Sequence, residues 1–235
     1  MQLSRHPESA TRDGNQTFAR GLRVLLAIAD ADHGMTVRQV EEMLGVHRSI
    51  AYRLLQTLSD FGLVSRGQQG VYLPGARMAT LADSYLPSLR EVAIPFMRRL
   101  ADQLESTVAL FVEQGSDALA VAMMEPTTSR HHIAFQSGMW TPMDRGAAAY
   151  AILAGSDPVD GEPVAVQIAR EAGFARSRGE VETGEFGIAA WIPLPPHMPR
   201  ACLNVITHRV DIADSVGPAV RKAANDLAHA LADEN

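Results

Sequence analysis

The stretch from His47 to Thr57 has side chains that suit hydrogen bonding to DNA. Its sequence, His-Arg-Ser-Ile-Ala-Tyr-Arg-Leu-Leu-Gln-Thr, contains no acidic residue, and its apolar residues recur at helical spacing. The major groove admits one α-helix, whose first residues reach base edges while other exposed side chains reach phosphates. On its outer side, we expect Arg48 to contact a guanine, and His47 and Ser49 to contact bases or phosphates. Tyr52 and Arg53 are expected to contact phosphates. The alternative is an ordinary solvated helix face.

The elements around this stretch predict how it is positioned. An amphipathic stripe from Phe18 to Ala29 predicts a first helix. Thr36, followed by Gln39, predicts a capping box at the start of a second helix, and Gly45 predicts a tight turn before the third. The third helix is expected to turn its apolar side chains inward, namely Ile50, Ala51, Leu54, Leu55 and Leu58.

A β-hairpin is predicted after the third helix. Two short apolar runs, 63–66 and 71–73, flank a turn that contains two glycines. Three helices followed by a hairpin form a winged helix-turn-helix. At the hairpin tip, Arg66, Gln68 and Gln69 are expected to reach the neighbouring DNA backbone or minor groove.

The remainder of the chain predicts helices and strands in mixed order, which indicates an α+β domain. Proline residues at 87 and 95 interrupt the helical pattern, so a linker helix is expected over 76–86 and a second helix over 89–104. Strands are predicted at 107–112, 118–124, 132–135, 186–194 and 200–207, and helices at 145–154 (capped by Asp144), 164–172 and 216–233.

Composition limits the class of protein. The 235 residues are 46% hydrophobic with a net charge of −6, but residues 1–80 carry +2 and residues 81–235 carry −8, which indicates two domains with different partners. A lone cysteine, Cys202, argues against disulfides and cysteine-based zinc sites. The sequence predicts no membrane span and no signal peptide, so a cytoplasmic location is expected.

Other reactive side chains do not form a convincing catalytic or metal set. His131 and His132 are adjacent on a predicted strand, so they point to opposite faces. Glu180, Glu182 and Glu185 lie in a glycine-rich segment and are expected to be solvated. Because nucleophile–base and phosphate-binding motifs are also missing from the sequence, we expect no enzyme activity, no metal and no cofactor.

Motifs along nearly the whole chain, about 17–230, resemble the IclR family of bacterial transcriptional regulators. The most specific are Arg-Gly-Leu-Arg-Val-Leu from Arg20 and Gly-Val-His-Arg-Ser-Ile-Ala-Tyr-Arg-Leu-Leu-Gln-Thr-Leu from Gly45. Weaker matches follow in the expected order at 62–64, 72–75, 137–143 and 173–180. The sequence departs from the family at Ile50, where threonine is usual, and at Ala149-Tyr150, where Gly-Lys is common.

The resemblance implies a domain plan and partners. A flexible tail at 1–16 would precede a winged helix-turn-helix domain at 17–75, a linker helix at 76–88 and an effector-binding domain at 89–235 with a GAF/PAS-like α+β fold. It also implies a homodimer or homotetramer on palindromic double-stranded operator DNA, with a small-molecule effector and no membrane partner.

The resemblance further implies an effector pocket between the start of the central helix and the last two strands. The backbone amides of Gly146 and Ala147 would face a carboxylate, with Arg145 adding a charged hydrogen bond. Other positions of the family's effector pocket align with Glu180 or Ser177, with Ala190 or Gly187, and with Asn204 and Ile206. Met123 and Trp140 are candidates for an apolar wall, although core packing is the commoner role for such residues.

We therefore expect a ligand-responsive DNA-binding regulator, with repression the commoner mode and a small carboxylate or aromatic effector. One alternative is a regulator whose C-terminal domain has lost its ligand and serves oligomerisation, or one that activates. An enzyme with an added helical domain is disfavoured, because no catalytic set is present in the sequence.

Overall fold

A computed structural model describes residues 15–127 and 138–233. These residues divide into two compact units between Pro87 and Ser88. The first is a helix-turn-helix with a small sheet, and the second combines helices with one antiparallel sheet. The predicted α+β class is confirmed.

The first unit combines four α-helices with a three-stranded antiparallel sheet in the described residues. Its elements are α1 (Gln16–Asp30), β1 (Met35–Thr36), α2 (Val37–Leu44), α3 (Arg48–Asp60), β2 (Val64–Arg66), β3 (Val71–Pro74) and α4 (Arg77–Asp83). The strand order is β1-β3-β2. Fully buried side chains from α1, α2 and α3, among them Ile28, Val40 and Leu55, fill the core. Their burial fixes which side of α3 remains in solvent.

Local signals in the sequence set the turn between α2 and α3. The Thr36 amide donates to Gln39 Oε1 at 2.8 Å, and the Gln39 amide donates to Thr36 Oγ1 at 3.3 Å, so the predicted capping box is present. Gly45 ends α2 with a φ of 61°, a conformation that glycine adopts without strain. The chain then reverses within a few residues, which places the amino end of α3 at the surface.

The second unit is built on a six-stranded antiparallel sheet of order β6-β5-β4-β9-β8-β7. Its strands are β4 (Thr107–Gln114), β5 (Asp117–Met124), β6 (Trp140–Pro142), β7 (Ala175–Arg178), β8 (Phe186–Ile192) and β9 (Ala201–Thr207). The helices are α5 (Pro87–Leu104), α6 (Ala147–Ala154), α7 (Val164–Ala172), α8 (Val210–Ser215) and α9 (Gly217–Asp233).

Helices cover the sheet at β8 and β9, where α6 and α9 both pack. Side chains alternate between the faces of a strand, so Cys202, Asn204 and Ile206 of β9 lie on the α6 face. Leu203 and Val205 are buried on the other face. The α6 face therefore combines a polar residue, Asn204, with an otherwise apolar core.

Several boundaries differ from the sequence predictions. The helix predicted over 145–154 begins at Ala147, because Gly146 with a φ of 86° takes the N-cap position expected for Asp144. The linker helix is shorter than predicted and spans Arg77–Asp83, whereas α5 begins at Pro87 and continues through Pro95. The strands β1, β6 and β7 were not predicted. The strand predicted at 132–135 and the His131-His132 pair lie outside the described residues.

Two chemical features of the described residues bear on function. None of the helices in the described ranges is long and apolar enough to span a bilayer. Within residues 15–127 and 138–233, no three His, Cys, Asp or Glu side chains are grouped so as to hold a metal ion.

Candidate functional site

The amino end of α3 is organised by its own first side chains. His47 is the N-cap, and its Nδ1 accepts from the Ser49 amide at 3.3 Å. The same nitrogen lies 2.9 Å from Ser49 Oγ. Two of the predicted DNA-binding side chains are therefore tied to each other, which holds the first turn in one conformation.

The α3 outer face, formed by His47, Arg48, Ser49, Tyr52 and Arg53, is exposed along its length. Tyr52 keeps 44% of its surface in solvent. Among the described residues, neither Arg48 nor Arg53 has an ion-pair partner. Both guanidinium groups are thus available to an external anion or base edge.

Ile50 corrects one prediction about α3. It was expected to point inward, but 39% of its surface is exposed, whereas its neighbour Ala51 is fully buried. Ile50 immediately precedes the buried residue, so it is turned roughly 100° away from it on the helix. An apolar side chain consequently adjoins the α3 outer face.

The hairpin formed by β2 and β3, called the wing below, also presents its predicted residues to solvent. Arg66 ends β2, and Gln68 and Gln69 lie in a short 3₁₀ turn before β3. All three are exposed. The turn is closed by the Gly67 amide, which donates to the Val71 carbonyl at 2.7 Å. The hairpin tip is therefore a compact polar loop.

A cavity in the second unit lies between the start of α6, the segment joining β7 to β8, and β9. It contains about 410 Å³ of empty space, counting the part open to solvent. Five predicted effector-binding residues line it, namely Gly146, Ala147, Glu180, Asn204 and Ile206. The structure brings these five together from three separate segments of the chain.

The amino end of α6 is already bound to side chains of the protein. The Gly146 amide donates to Glu180 Oε2 at 3.0 Å, and the Ala147 amide donates to Ser177 Oγ at 2.9 Å. The Tyr150 hydroxyl also donates to Glu180 Oε2, at 2.7 Å. Burial and this carboxylate raise the pKa of Tyr150 to about 12. Of the two amides expected to hold a ligand carboxylate, that of Gly146 holds the Glu180 carboxylate and that of Ala147 holds the Ser177 hydroxyl.

Two more glutamates, Glu182 and Glu185, line the cavity. The pKa of Glu185 is raised to about 7, chiefly by burial and further by the nearby Glu182, while His208 opposes the rise. His208 Nε2 lies 3.7 Å from Glu185 Oε1. Asn204 is 7% exposed, and its Oδ1 is buried with no hydrogen-bond donor among the described residues. The described polar lining is therefore rich in acceptors.

Four predicted effector-binding residues are placed elsewhere. Met123 of β5 packs against the core beneath α6, and Trp140 is 38% exposed on the edge strand β6. Arg145 donates to Asp144 at 2.9 Å. Ala190 is buried, but alternation along β8 puts it on the sheet face opposite Gly187, which lines the cavity. The aligned alternative, Gly187, is therefore the position that meets the cavity.

Tyr150 was not predicted to contribute to the site. Glu182 is exposed, as expected, whereas Glu185 is partly buried. Tyr150 lies four residues after Gly146, a spacing that puts both on one side of a helix start and could have indicated its hydrogen bond to the capping carboxylate. No local pattern could have shown that the segment after β7 folds back over α6.

Comparisons with known proteins agree with this architecture. Residues 17–67 match the IclR helix-turn-helix domain. The HTH-type transcriptional regulator Rv1719 of Mycobacterium tuberculosis is 31% identical over 121 residues, covering 51% of this chain and 47% of that protein. The acetate operon repressor of Salmonella typhimurium is 29% identical over 142 residues, covering 59% of this chain and 52% of that protein. The chain spans about half the length of these two relatives.

A third relative matches over more of its length. The Pca regulon regulatory protein of Pseudomonas putida is 26% identical over 245 aligned residues, covering 92% of this chain and 84% of that protein. These relatives are named as regulators or repressors, not as enzymes, in agreement with the expected class.

Solved structures share the fold. A protein of Rhodococcus sp. RHA1 superposes with a TM-score of 0.74 at 24% identity, covering 94% of this chain and 100% of that one. An IclR homologue of Microbacterium hydrocarbonoxydans, solved with 4-hydroxybenzoate, superposes with a TM-score of 0.73 at 20% sequence identity. The match covers 91% of this chain and 99% of that one. With the helix-turn-helix match, these similarities show that the chain carries an IclR-type helix-turn-helix domain at residues 17–67 and shares the fold of IclR regulators.

Proposed function

We propose that this protein is a ligand-responsive transcriptional regulator that binds operator DNA through the α3 outer face and the wing. The observation that supports this most directly is the exposed, acid-free α3 surface, with two arginines that have no ion-pair partner among the described residues. Arg48 would contact a base, and His47, Ser49, Tyr52 and Arg53 would contact bases or phosphates. Arg66, Gln68 and Gln69 of the wing would bind the adjacent backbone or minor groove.

The proposed assembly on DNA is a homodimer or homotetramer bound to a palindromic site. One recognition helix fits one half-site, and two-fold symmetry of the protein matches two-fold symmetry of the operator. Two half-sites supply the number of base contacts that a regulator needs to find one operator among many competing sites. Residues 76–88 are the proposed linker between the DNA-binding domain at 17–75 and the effector-binding domain at 89–235. A cytoplasmic location goes with this role.

The proposed effector is a small organic molecule bound in the α6 cavity. Such a ligand changes DNA binding only if it binds two states of the regulator with different affinity. Repression is the proposed mode, in line with a relative named as the acetate operon repressor. That a structural neighbour was solved with 4-hydroxybenzoate supports a small-molecule site in this fold.

Selection of bound sequences from a random duplex pool, at fixed salt and with the full chain, tests the DNA-binding proposal. We expect a palindromic consensus with half-sites about one helical turn apart, or a multiple of that spacing. Recovery of sequences no more enriched than those bound by a variant with both Arg48→Ala and Arg53→Ala would contradict it.

A second candidate function keeps DNA binding but not the ligand. The Glu180 carboxylate and the Ser177 hydroxyl already accept from the two amides at the start of α6. A C-terminal domain of this kind would serve oligomerisation alone, or would support activation. A ligand-induced rise in melting temperature separates the two, because a ligand that binds only the folded state stabilises it.

A further inference from the structure

The α6 cavity has the hydrogen-bonding character of a site for a positively charged ligand. We propose that it binds a small organic cation, a molecule with an ammonium or amidinium group on a short hydrocarbon part, instead of a carboxylate. This inference rests on the proposed role of the cavity as the effector site and names the chemical class of the effector.

The charges around the cavity favour a cation. Glu180, Glu182 and Glu185 line it, and among the described lining residues there is no Arg, Lys or His. A carboxylate ligand would be placed beside like charges with no cation among the described lining residues, which is unfavourable. An ammonium group would instead form charge-assisted hydrogen bonds to these oxygens.

The helix amides do not offset this preference. Free amides at a helix start can bind an anion, but here Glu180 and Ser177 accept those hydrogen bonds. A ligand carboxylate would have to displace Glu180 and leave the Tyr150 hydroxyl without its acceptor. A cation needs no such displacement, because it can bind the carboxylates where they are.

Asn204 supplies an independent observation. Its Oδ1 is buried and has no donor among the described residues, a state that costs free energy unless a donor arrives. Asn204 lines the cavity beside Gly187, and a Cβ added to Gly187 would lie 3.4 Å from Oδ1. A side chain at position 187 would therefore crowd the space beside this oxygen.

The remaining wall is apolar and the space is small. Phe111, Val181 and Ile206 line the cavity and offer contact surface to a hydrocarbon group. The empty space of about 410 Å³, which includes the part open to solvent, suits a small ligand with a compact head group. A primary ammonium fits this description, since it has three donors and no acceptor.

The test compares three probes that differ mainly in the charge of one end: n-butylammonium, n-butanol and butyrate. Each is titrated into the full chain while NMR resonances of cavity residues are followed, and far-UV circular dichroism checks the folding of each variant. We expect butylammonium to bind with a Kd at least about tenfold lower than butanol or butyrate. Glu185→Gln and Asn204→Ala should each weaken it, whereas Glu171→Gln, which removes an exposed carboxylate of α7, should not.

Butyrate binding as tightly as butylammonium would overturn the proposal, and so would cavity resonances that do not move with butylammonium. An effect of Glu171→Gln equal to that of Glu185→Gln would also overturn it, because it would indicate general attraction to an acidic domain. Operator binding is measured separately on the selected duplex. Its failure would count against DNA binding and not against the cation site, and the reverse also holds.

Discussion

Arg48→Ala provides the sharpest test of how α3 recognises DNA. Arg48 is the first residue of α3, its side chain is exposed, and no ion pair holds it among the described residues. Truncating it removes no packing, so the free energy of unfolding should change by no more than about 0.5 kcal/mol. Any large effect on DNA binding would then come from lost DNA contacts.

A bidentate contact from arginine to guanine is worth about 1–3 kcal/mol, so the Kd for the selected operator should rise about 5- to 150-fold. The loss should be confined to one base position in each half-site. A phosphate contact would instead weaken all duplexes alike and reduce the slope of log K against log salt by about one. Fluorescence anisotropy on the operator and on duplexes changed at single positions distinguishes the two.

Arg38→Ala is the matched control. Arg38 is also an exposed arginine of the first unit, but its Nε donates to Glu42 Oε1 at 2.8 Å. Its charge is already compensated within α2, so its removal should leave base preference unchanged. An Arg48→Ala protein with the same base preference as the wild type would refute the role assigned to Arg48.

Four further outcomes are expected. If α3 lies in the major groove as proposed, Ile50→Ala should reduce the preference for thymine over uracil in the operator, because an exposed apolar side chain beside the α3 outer face can contact a thymine methyl group; duplexes with uracil substitutions measure this. Glu180→Ala should lower the free energy of unfolding by about 1–3 kcal/mol in urea titrations, since it leaves the Gly146 amide and the Tyr150 hydroxyl unpaired, and Glu180→Gln should cost less. Protonated Glu185 stabilises the folded state, and this stabilisation is fully present below the unfolded pKa of about 4.5. It is lost as pH rises through the folded pKa of about 7. Glu185→Gln should therefore flatten the pH dependence of the melting temperature between these two pH values. Gly187→Ala should block ligand binding while preserving operator binding, because the added Cβ would lie 2.9 Å from Ser177 Oγ and 3.0 Å from Ala147 Cβ; titration with n-butylammonium detects the loss.

The helix-turn-helix was predictable because its determinants are local. The capping box of Thr36 and Gln39, the turn at Gly45 and the apolar spacing of α3 each act within a few residues. The prediction that Ile50 points inward was wrong because helical spacing alone does not set the width of the buried stripe.

The cavity was only partly predictable because its walls meet through long-range contacts. Gly146 and Ala147 were found as a helix start, but the partners of their amides lie about 30 residues later in the chain. The short strand β7 has no strong apolar alternation, so its pairing with β8 could not be derived from its own sequence. Whether a glutamate caps a helix or lies in solvent depends on that pairing.

Hydroxyl-radical footprinting of the full chain, with and without the selected duplex, tests the central claim most directly. It reports the solvent exposure of individual side chains by mass spectrometry, and Tyr52 is 44% exposed in the free protein. Ile168 of α7, 60% exposed, serves as the internal reference. We expect the duplex to suppress oxidation of Tyr52 and to leave Ile168 unchanged. Oxidation of Tyr52 that persists while the duplex is bound would contradict the assignment of α3 as the DNA-binding helix.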